Sequence, residues 1–323
     1  MKHLAKIVIV LFLLCVPVSS FSFEDNSGGT SSYLSLNVGV WAMKGGEASF
    51  QTSFPAIFVP GTGHSKLEWK DLDSYSYMLG AKVKPYFYFL TLDLQYLGGD
   101  IRDGECTDTD WDEGFAPWSV SKNATDGDLE YWSIDLDILL YPYLGKPVGW
   151  GMSERRPNNK TRFEAILGYF RYEYDLHDFN GVQTVPSLGP FDGLDSTYDF
   201  KWKGFRTGLR YAYDFVKEPS HGLHAIGFRI EYSYLWKVDF DGEGYWNLRD
   251  LRFTQEADDG TGNDWVLAFF YDPLKNIQIQ FGHRWLTVSA KNGYDLRDGT
   301  LNAYLDTVDS KSRGWFLNLA YTF

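Results

Sequence analysis

Two short acidic motifs are the residues of this sequence best suited to do chemistry. Asp108 and Asp110 stand two positions apart in Asp-Thr-Asp-Trp, and Asp241 and Glu243 stand two positions apart in Asp-Gly-Glu-Gly. Carboxyl groups held close together raise one another's pKa, and a carboxylate of raised pKa can position a water molecule and take a proton from it. Such a cluster also attracts cationic ligands. The alternative interpretation of both motifs is solvated surface charge.

A calcium loop is a further interpretation of the first motif. Asp108, Asp110 and Asp112 match the first three ligand positions of an EF-hand. However, Glu113 stands where the loop needs glycine, and Ser119 stands where it needs the closing glutamate. We therefore expect no metal site and no resident cofactor.

The elements that must position these motifs are best seen in the last ten residues, 314–323. Apolar side chains at every second position from Trp315 to Phe323 alternate with small or polar ones such as Asn318 and Thr322. Period-two alternation indicates a β-strand, and an apolar face opposite a polar one is typical of a strand between lipid and a wet lumen. The terminal Phe also resembles the signal that the outer-membrane assembly machinery recognises.

The other end of the chain predicts export. Lys2 and Lys6 precede an apolar run over residues 7–18, and small residues follow it, so residues 1–22 are expected to be a signal peptide. Residues 23–323 then form one domain, an outer-membrane β-barrel with long extracellular loops. Removing two of the 30 basic residues leaves 28 against 43 acidic ones, a net charge of −15. We expect no nucleic-acid partner for a chain of this charge.

Ten alternating segments can be counted, which predicts an all-β, ten-stranded antiparallel transmembrane β-barrel. Bacterial single-chain barrels have even strand numbers, and an aromatic content of 18% suits girdles at two membrane interfaces. Charged residues such as Asp135, Asp137 and Glu231 are assigned to the lumen, because a lipid face would exclude them. The strands are expected at about 32–42, 74–83, 90–96, 132–140, 163–174, 201–215, 226–234, 265–271, 277–285 and 314–323.

The connections alternate between long and short, which predicts sidedness. Short turns of such barrels lie in the periplasm and long loops lie outside, and 142–162 is an unusually long connection on the periplasmic side. The acidic motifs follow the third and seventh strands, which are nearly opposite in a ten-stranded ring, so the two carboxylate pairs are expected to face each other across the mouth. The long loops are expected at 44–72, 98–128, 175–197, 239–262 and 289–311.

Several segments in order resemble the omptins, outer-membrane endopeptidases of Gram-negative bacteria. They are Ser65-Lys-Leu-Glu-Trp-Lys70, Leu97-Gly98, Asp108-Thr-Asp110-Trp111, Trp118 and Gly168-Tyr169. The resemblance implies an omptin-like barrel in which a water between two acidic couples attacks a peptide bond. It places Asp108 and Asp110 in the first couple.

The second omptin couple, Asp-x-His, has no direct counterpart. The corresponding stretch reads Asp241-Gly-Glu243-Gly-Tyr245. A gapless match puts Gly242 and Gly244 at the Asp and His positions, and a shift of one residue puts Asp241 and Glu243 there. Histidine is the usual base near neutral pH. Of the six histidines in the chain, only His64 and His177 fall in the predicted extracellular loops, so either is a candidate for the missing base.

The resemblance also implies lipopolysaccharide binding, which activity could require. Arg171, Lys201 and Lys203 share the outward parity at the extracellular ends of two neighbouring strands. Guanidinium and ammonium groups at that height could bind lipid phosphates. They could equally serve as ordinary interfacial anchors.

These observations leave two main hypotheses for a protein of a Gram-negative outer membrane. The first is an omptin-like endopeptidase that cleaves basic peptides with water held by Asp108 and Asp110, with Asp241 and Glu243 as an altered partner couple. The second is a proteolytically inactive barrel that serves as an adhesin, a receptor or a structural protein. A narrow channel is a third hypothesis, which charged lumen residues such as Arg206 and Arg210 disfavour.

Overall fold

The computed structural model describes residues 33–55, 63–84, 89–141, 161–216, 225–274 and 276–323. The predicted signal peptide lies outside these residues, as does most of the 142–162 connection. The described chain consists of strands and turns, with one 3-10 turn at Asn247–Arg249. The strands are β1 (Tyr33–Ser53), β2 (Gly63–Lys84), β3 (Leu90–Asp112), β4 (Ser119–Tyr141), β5 (Thr161–Val185), β6 (Gly189–Pro190), β7 (Asp195–Val216), β8 (Ala225–Trp246), β9 (Leu251–Leu274), β10 (Ile277–Arg297) and β11 (Thr300–Thr322).

The ten long strands close into one antiparallel ring. Their order is β4-β3-β2-β1-β11-β10-β9-β8-β7-β5, and a β4–β5 pairing completes the circle, while the two-residue β6 pairs only with β5. The predicted ten-stranded antiparallel barrel is therefore confirmed. Closure removes every free strand edge, including that of the C-terminal strand, which pairs with β1 and β10. No helix long and apolar enough to cross a membrane occurs in the described segments.

The strands are about twice as long as the sequence predicts. The five stretches expected to be long loops are mostly strand, and at one end of the barrel the described connections are short turns such as 113–118 and 298–299. We call this the distal end. The terminal end is the opposite one, which carries residues 33 and 323. Long loops were expected over these five stretches, and the structure has mostly strand there instead.

The polarity pattern of strand β7 changes along its length. In its terminal half Phe205 and Leu209 face outward while Arg206 and Arg210 are buried inside. In its distal half, Phe200 and Trp202 are buried inside, and the lysines beside them face outward. The alternation continues without a break, but the apolar residues change from the outer to the inner face. A search for outward apolar residues therefore stops halfway along the strand.

An apolar belt surrounds the terminal half of the barrel. Its aromatic upper edge includes Tyr232, Trp265 and Trp285, which are direct cross-strand neighbours. Such a belt with an aromatic edge is the surface that a transmembrane barrel presents to lipid. The exposed aliphatic members include Val38, Val40, Ile134, Leu136, Leu167, Leu209, Ile230, Leu267, Leu317 and Leu319.

A buried network of ion pairs occupies the lumen inside the belt. Arg206 lies 2.9 Å from Glu231 and donates a hydrogen bond of 3.0 Å to the Tyr131 hydroxyl. Arg210 donates to Glu231 at 2.7 Å and also pairs with Asp137. Removal of one partner from a buried network leaves an uncompensated charge, so the loss of any of these side chains should destabilise the barrel. Cavities of about 90 and 200 Å³ remain between them.

The distal half is filled by a hydrophobic core instead. Trp69, Phe200 and Phe240 are almost completely buried there, and the Trp69 and Phe200 rings meet edge to face at 5.2 Å. Edge-to-face packing adds stability to the burial of large rings. This core closes the interior above the charged network and supports the site at the distal end.

Candidate functional site

Asp108 and Asp110 lie near the distal end of β3. A register irregularity between Ile101 and Glu105 changes which residues of β3 face inward. Odd-numbered residues such as Asp93 face the lumen below it, and Cys106 is buried above it. Asp108 and Asp110 share the inward parity of Cys106, so the bulge is the local cause of their position above the aromatic core.

The surroundings of the two carboxyls raise their pKa values. Burial, reinforced by the charge of Asp110, raises the pKa of Asp108 to about 8. Burial also raises the pKa of Asp110, while hydrogen bonds from Ser65 and Ser119 oppose this effect. The Arg249 guanidinium, which stacks on the Trp246 ring at 4.2 Å, favours the ionised form of both. Asp108 is therefore mostly protonated at pH 7, and the pair can share one negative charge.

A third carboxyl, Asp178 on β5, lies beneath the pair and was missed from the sequence. It is fully buried and accepts hydrogen bonds from Trp69 Nε1 at 3.0 Å and Thr125 Oγ1 at 2.6 Å. Burial raises the pKa of Asp178, and its charge in turn raises the pKa of Asp108. Asp178 lies an even number of residues from Phe170 and Leu176, which face inward on the same strand. Alternation along β5 was therefore the sequence pattern that could identify Asp178 as an inward residue.

The inward face of β8, nearly opposite Asp108, carries no carboxylate at its described distal end. Asp241 and Glu243, predicted to face Asp108 and Asp110, lie on the outer surface of β8, where Asp241 pairs with Lys203 at 2.8 Å. The inward positions are Gly242 and Gly244, both buried. These glycines are the residues that the gapless match to the omptin pattern puts at the Asp and His positions, and the expected meeting of two carboxylate pairs is wrong.

A bulge in β8 is the physical reason. Glu231 and Ser233 face the lumen, and unbroken alternation would bring Asp241 and Glu243 to the same face. Lys237, however, adopts the left-handed conformation with φ 47°, and the pairing with both neighbouring strands shifts there. One extra residue in a strand moves every later side chain to the opposite face.

Aromatic rings fill the space beside the two inward glycines. A Cβ atom on Gly242 would lie 2.8 Å from Phe240 Cζ, and one on Gly244 would overlap the Phe253 ring. A side chain at position 244 therefore has no room unless Phe253 moves. The inward face of β8 at this height consists of glycines packed against aromatic rings, so β8 offers no group that could accept a proton from a water molecule held by Asp108.

Both candidate histidines lie on the outer surface. His64 on β2 stacks on Trp111 with ring centres 5.4 Å apart. His177 on β5 bridges Asp126 and Asp195, with nitrogen–oxygen distances of 3.0 and 2.8 Å, and hydrogen bonds to these carboxylates raise its pKa against the opposing effect of burial. The strand alternation directs both rings away from Asp108 and Asp110, so neither supplies a base to the pair.

The basic residues predicted to bind lipid lie together on the outer wall just above the belt. Arg171 and Lys203 are direct cross-strand neighbours, and Lys201 follows two positions away. Each has a carboxylate partner: Arg171 pairs with Glu173, Lys201 with Asp199 at 3.1 Å, and Lys203 with Asp241. A lipid phosphate would have to compete with these partners. Within the described residues, no group of three or more His, Cys, Asp or Glu side chains could hold a metal ion.

A closed antiparallel barrel with a lipid-compatible belt and a charged lumen defines the class of this protein, an outer-membrane β-barrel. The family model of Pom, the Protochlamydia outer membrane protein, matches residues 49–296. The chain therefore belongs to the Pom family, and its place is the outer membrane. No curated protein sequence matches it.

A solved structure is similar to this chain in fold. The outer membrane protease OmpT from Escherichia coli matches with a TM-score of 0.68 and 14% identity, over 90% of this chain and 97% of that one. The translocator domain of the autotransporter NalP from Neisseria meningitidis covers 99% of this chain and 98% of its own, but with a TM-score of 0.29 and 9% identity it carries no argument. At 14% identity the OmpT likeness shows an omptin-like barrel and nothing about activity.

Proposed function

We propose that this protein is a proteolytically inactive omptin-like barrel whose distal end is a recognition surface outside the cell. The observation that carries the proposal is the pair of inward glycines, Gly242 and Gly244, opposite Asp108 and Asp110, with the Phe253 ring beside them. Attack of water on a peptide bond needs a group that accepts the proton and holds the water in line. The inward face of β8 has glycines where the second couple is expected, so no group of β8 holds the water from the side opposite Asp108 and Asp110.

The height of the barrel supports an outward distal end. Strands such as β5 continue well past the belt and end in short, hydrogen-bonded turns, so the protein presents a tall, rigid rim. Both described termini lie at the other end, which suits a periplasmic position. A rigid rim loses little conformational entropy when it binds a partner, which favours recognition. We place the basic group of Arg171, Lys201 and Lys203 at the level of lipopolysaccharide phosphates.

An endopeptidase is the second candidate, and the raised pKa of Asp108 favours it. A pKa of about 8 lies near the operating pH of a general base. In that case Asp108 and Asp110 hold and activate the water without Asp241 or Glu243, and basic peptides are the substrates because the rim is acidic. Lipopolysaccharide would then be required only to order the barrel.

One experiment separates the candidates. Refolded protein, checked for heat-modifiable mobility on a gel, is incubated with lipopolysaccharide and a peptide library that contains dibasic sites. We expect no cleavage from the wild type. Cleavage that is lost in both Asp108→Ala and Asp110→Ala would establish the endopeptidase.

A second measurement tests the channel hypothesis. Current across a planar bilayer that contains the folded protein, above the lipid background, would point to a channel instead of a recognition surface.

A further inference from the structure

Large apolar side chains stand exposed on two neighbouring distal turns. Phe115 and Trp118 on the turn between β3 and β4 are 75% and 57% exposed, and Leu188 on the turn after β5 is 76% exposed. Val185 extends the patch and pairs with Val120 across the β4–β5 boundary, so the two turns lie side by side. We call these four exposed residues, Phe115, Trp118, Val185 and Leu188, the apolar tip. Exposed apolar patches on a rim mark interaction sites.

The backbone holds the apolar tip in place. Trp118 N donates to Asp110 O at 3.0 Å, and Phe115 N donates to Asp112 O at 3.0 Å. The amide of Gln183 donates to the Ser119 hydroxyl at 3.2 Å, which joins the two turns. The aromatic side chains are therefore presented by a preformed frame, and binding does not require these turns to become ordered first.

Charge selects among possible occupants of the tip. Asp112 and Glu113 begin the first of these turns, Asp192 lies on the following connection between β6 and β7, and the whole chain has a net charge of −13. A second copy would bring an equally acidic rim against this one, and phosphate groups of a lipid surface would be repelled as well. A cationic polypeptide with apolar side chains complements both features, because its basic groups meet the carboxylates while its apolar groups cover Phe115 and Trp118.

We propose that the apolar tip is a docking site for a cationic, apolar-bearing polypeptide segment of a partner protein. The inference rests on the proposed function, since it requires an outward distal end that binds without cleaving. The contacts are noncovalent. Trp118 and Phe115 act as the buried anchors, and the acidic rim sets the orientation and the salt dependence of binding.

The test uses the full refolded chain in nonionic detergent and a fluorescein-labelled peptide of alternating Lys and Leu. Fluorescence anisotropy measures binding, with empty micelles as the background. We expect the double variant Phe115→Ser, Trp118→Ser to bind at least about tenfold more weakly, because anchor residues dominate such interfaces. Tyr304→Ser is the matched control, since Tyr304 is an exposed aromatic residue on the opposite wall. A peptide with Glu in place of Lys should not bind.

Other outcomes overturn the proposal. Binding that is unchanged in the double variant, or equal binding of the Glu peptide, would contradict docking at the tip. Binding of phosphatidylcholine vesicles through Phe115 and Trp118 without binding of the Lys peptide would assign the tip to lipid, and self-association lost in the same variant would assign it to a second copy. Cleavage of the peptide would contradict the proposed function instead, and docking would then be measured with Asp108→Ala protein.

Discussion

The protonation of Asp108 gives a quantitative prediction. Burial raises the pKa of Asp108 to about 8 in the folded protein, whereas the ordinary pKa of an Asp side chain is 3.8. Between these values the folded state binds more protons than the unfolded state, so the contribution of this group to stability is complete below pH 3.8 and is lost as the pH rises to about 8. The Asp108→Asn variant cannot titrate and should therefore lose less stability over this range.

The structure sets the size of the effect. At about 1.4 kcal/mol per pH unit, the interval between 3.8 and about 8 corresponds to an upper limit of about 6 kcal/mol. The carboxyl is only partly enclosed, and Asp110 can take over part of the shared charge, so we expect Asp108→Asn to be more stable than the wild type by about 2 kcal/mol at pH 9. At pH 4 the two proteins should be nearly equally stable.

Urea unfolding of the vesicle-inserted barrel, followed by tryptophan fluorescence at pH 4, 7 and 9, measures these differences. Asp298→Asn is the matched control, because Asp298 is exposed on the β10–β11 turn in a left-handed conformation that Asn also adopts. The reasoning would be refuted by equal pH dependence of the wild type and Asp108→Asn, or by a variant that is less stable than the wild type at pH 9.

Three further predictions follow from packing and charge. Arg210→Met should lower the free energy of unfolding by about 3–5 kcal/mol, measured by urea unfolding, because it removes one cation from a buried network and leaves excess negative charge on Asp137 and Glu231. Equal stability would contradict the role of the lumen network. Gly244→Ala should lower the free energy of unfolding of the barrel by about 1–3 kcal/mol, because the added methyl group overlaps the Phe253 ring. Adding Phe253→Ala to the same protein should restore part of this loss. A single variant as stable as the wild type would show that position 244 has room. His177→Gln should reduce thermal stability more at pH 5 than at pH 9. Hydrogen bonds to two carboxylates raise the pKa of His177, so the protonated ring stabilises the fold at low pH and this stabilisation is lost as the pH rises through that pKa. A larger effect at pH 9 would contradict this role of His177.

The belt half of the fold was predictable from the sequence because its physical rule is simple. Lipid requires outward apolar residues at every second position, so Trp315, Leu317 and Leu319 identified β11, and the same pattern gave the strand number. The distal half follows a different rule. There Phe200 and Trp202 face inward and lysines face water, so alternation counted on outward apolar residues ended too early.

The candidate site was predictable only in its first half. Asp108 and Asp110 face inward as expected, although the bulge near Ile101 that directs them there has no clear mark in the sequence. The second half was misplaced because Lys237 adds one residue to β8. Nothing in the sequence indicates that Lys237 adopts a left-handed conformation and adds a residue to the strand. That one residue decides whether Gly242 or Asp241 faces the interior.

The central claim is that the proteolytic site is incomplete, because β8 carries inward glycines in place of a second couple opposite Asp108 and Asp110. The most direct measurement is a time course, by mass spectrometry, of one dibasic peptide incubated with the refolded protein and lipopolysaccharide, with Escherichia coli OmpT in a parallel reaction. We predict that the peptide remains intact when OmpT has consumed it. Cleavage by the wild type, but not by the Asp108→Ala variant, would contradict the claim.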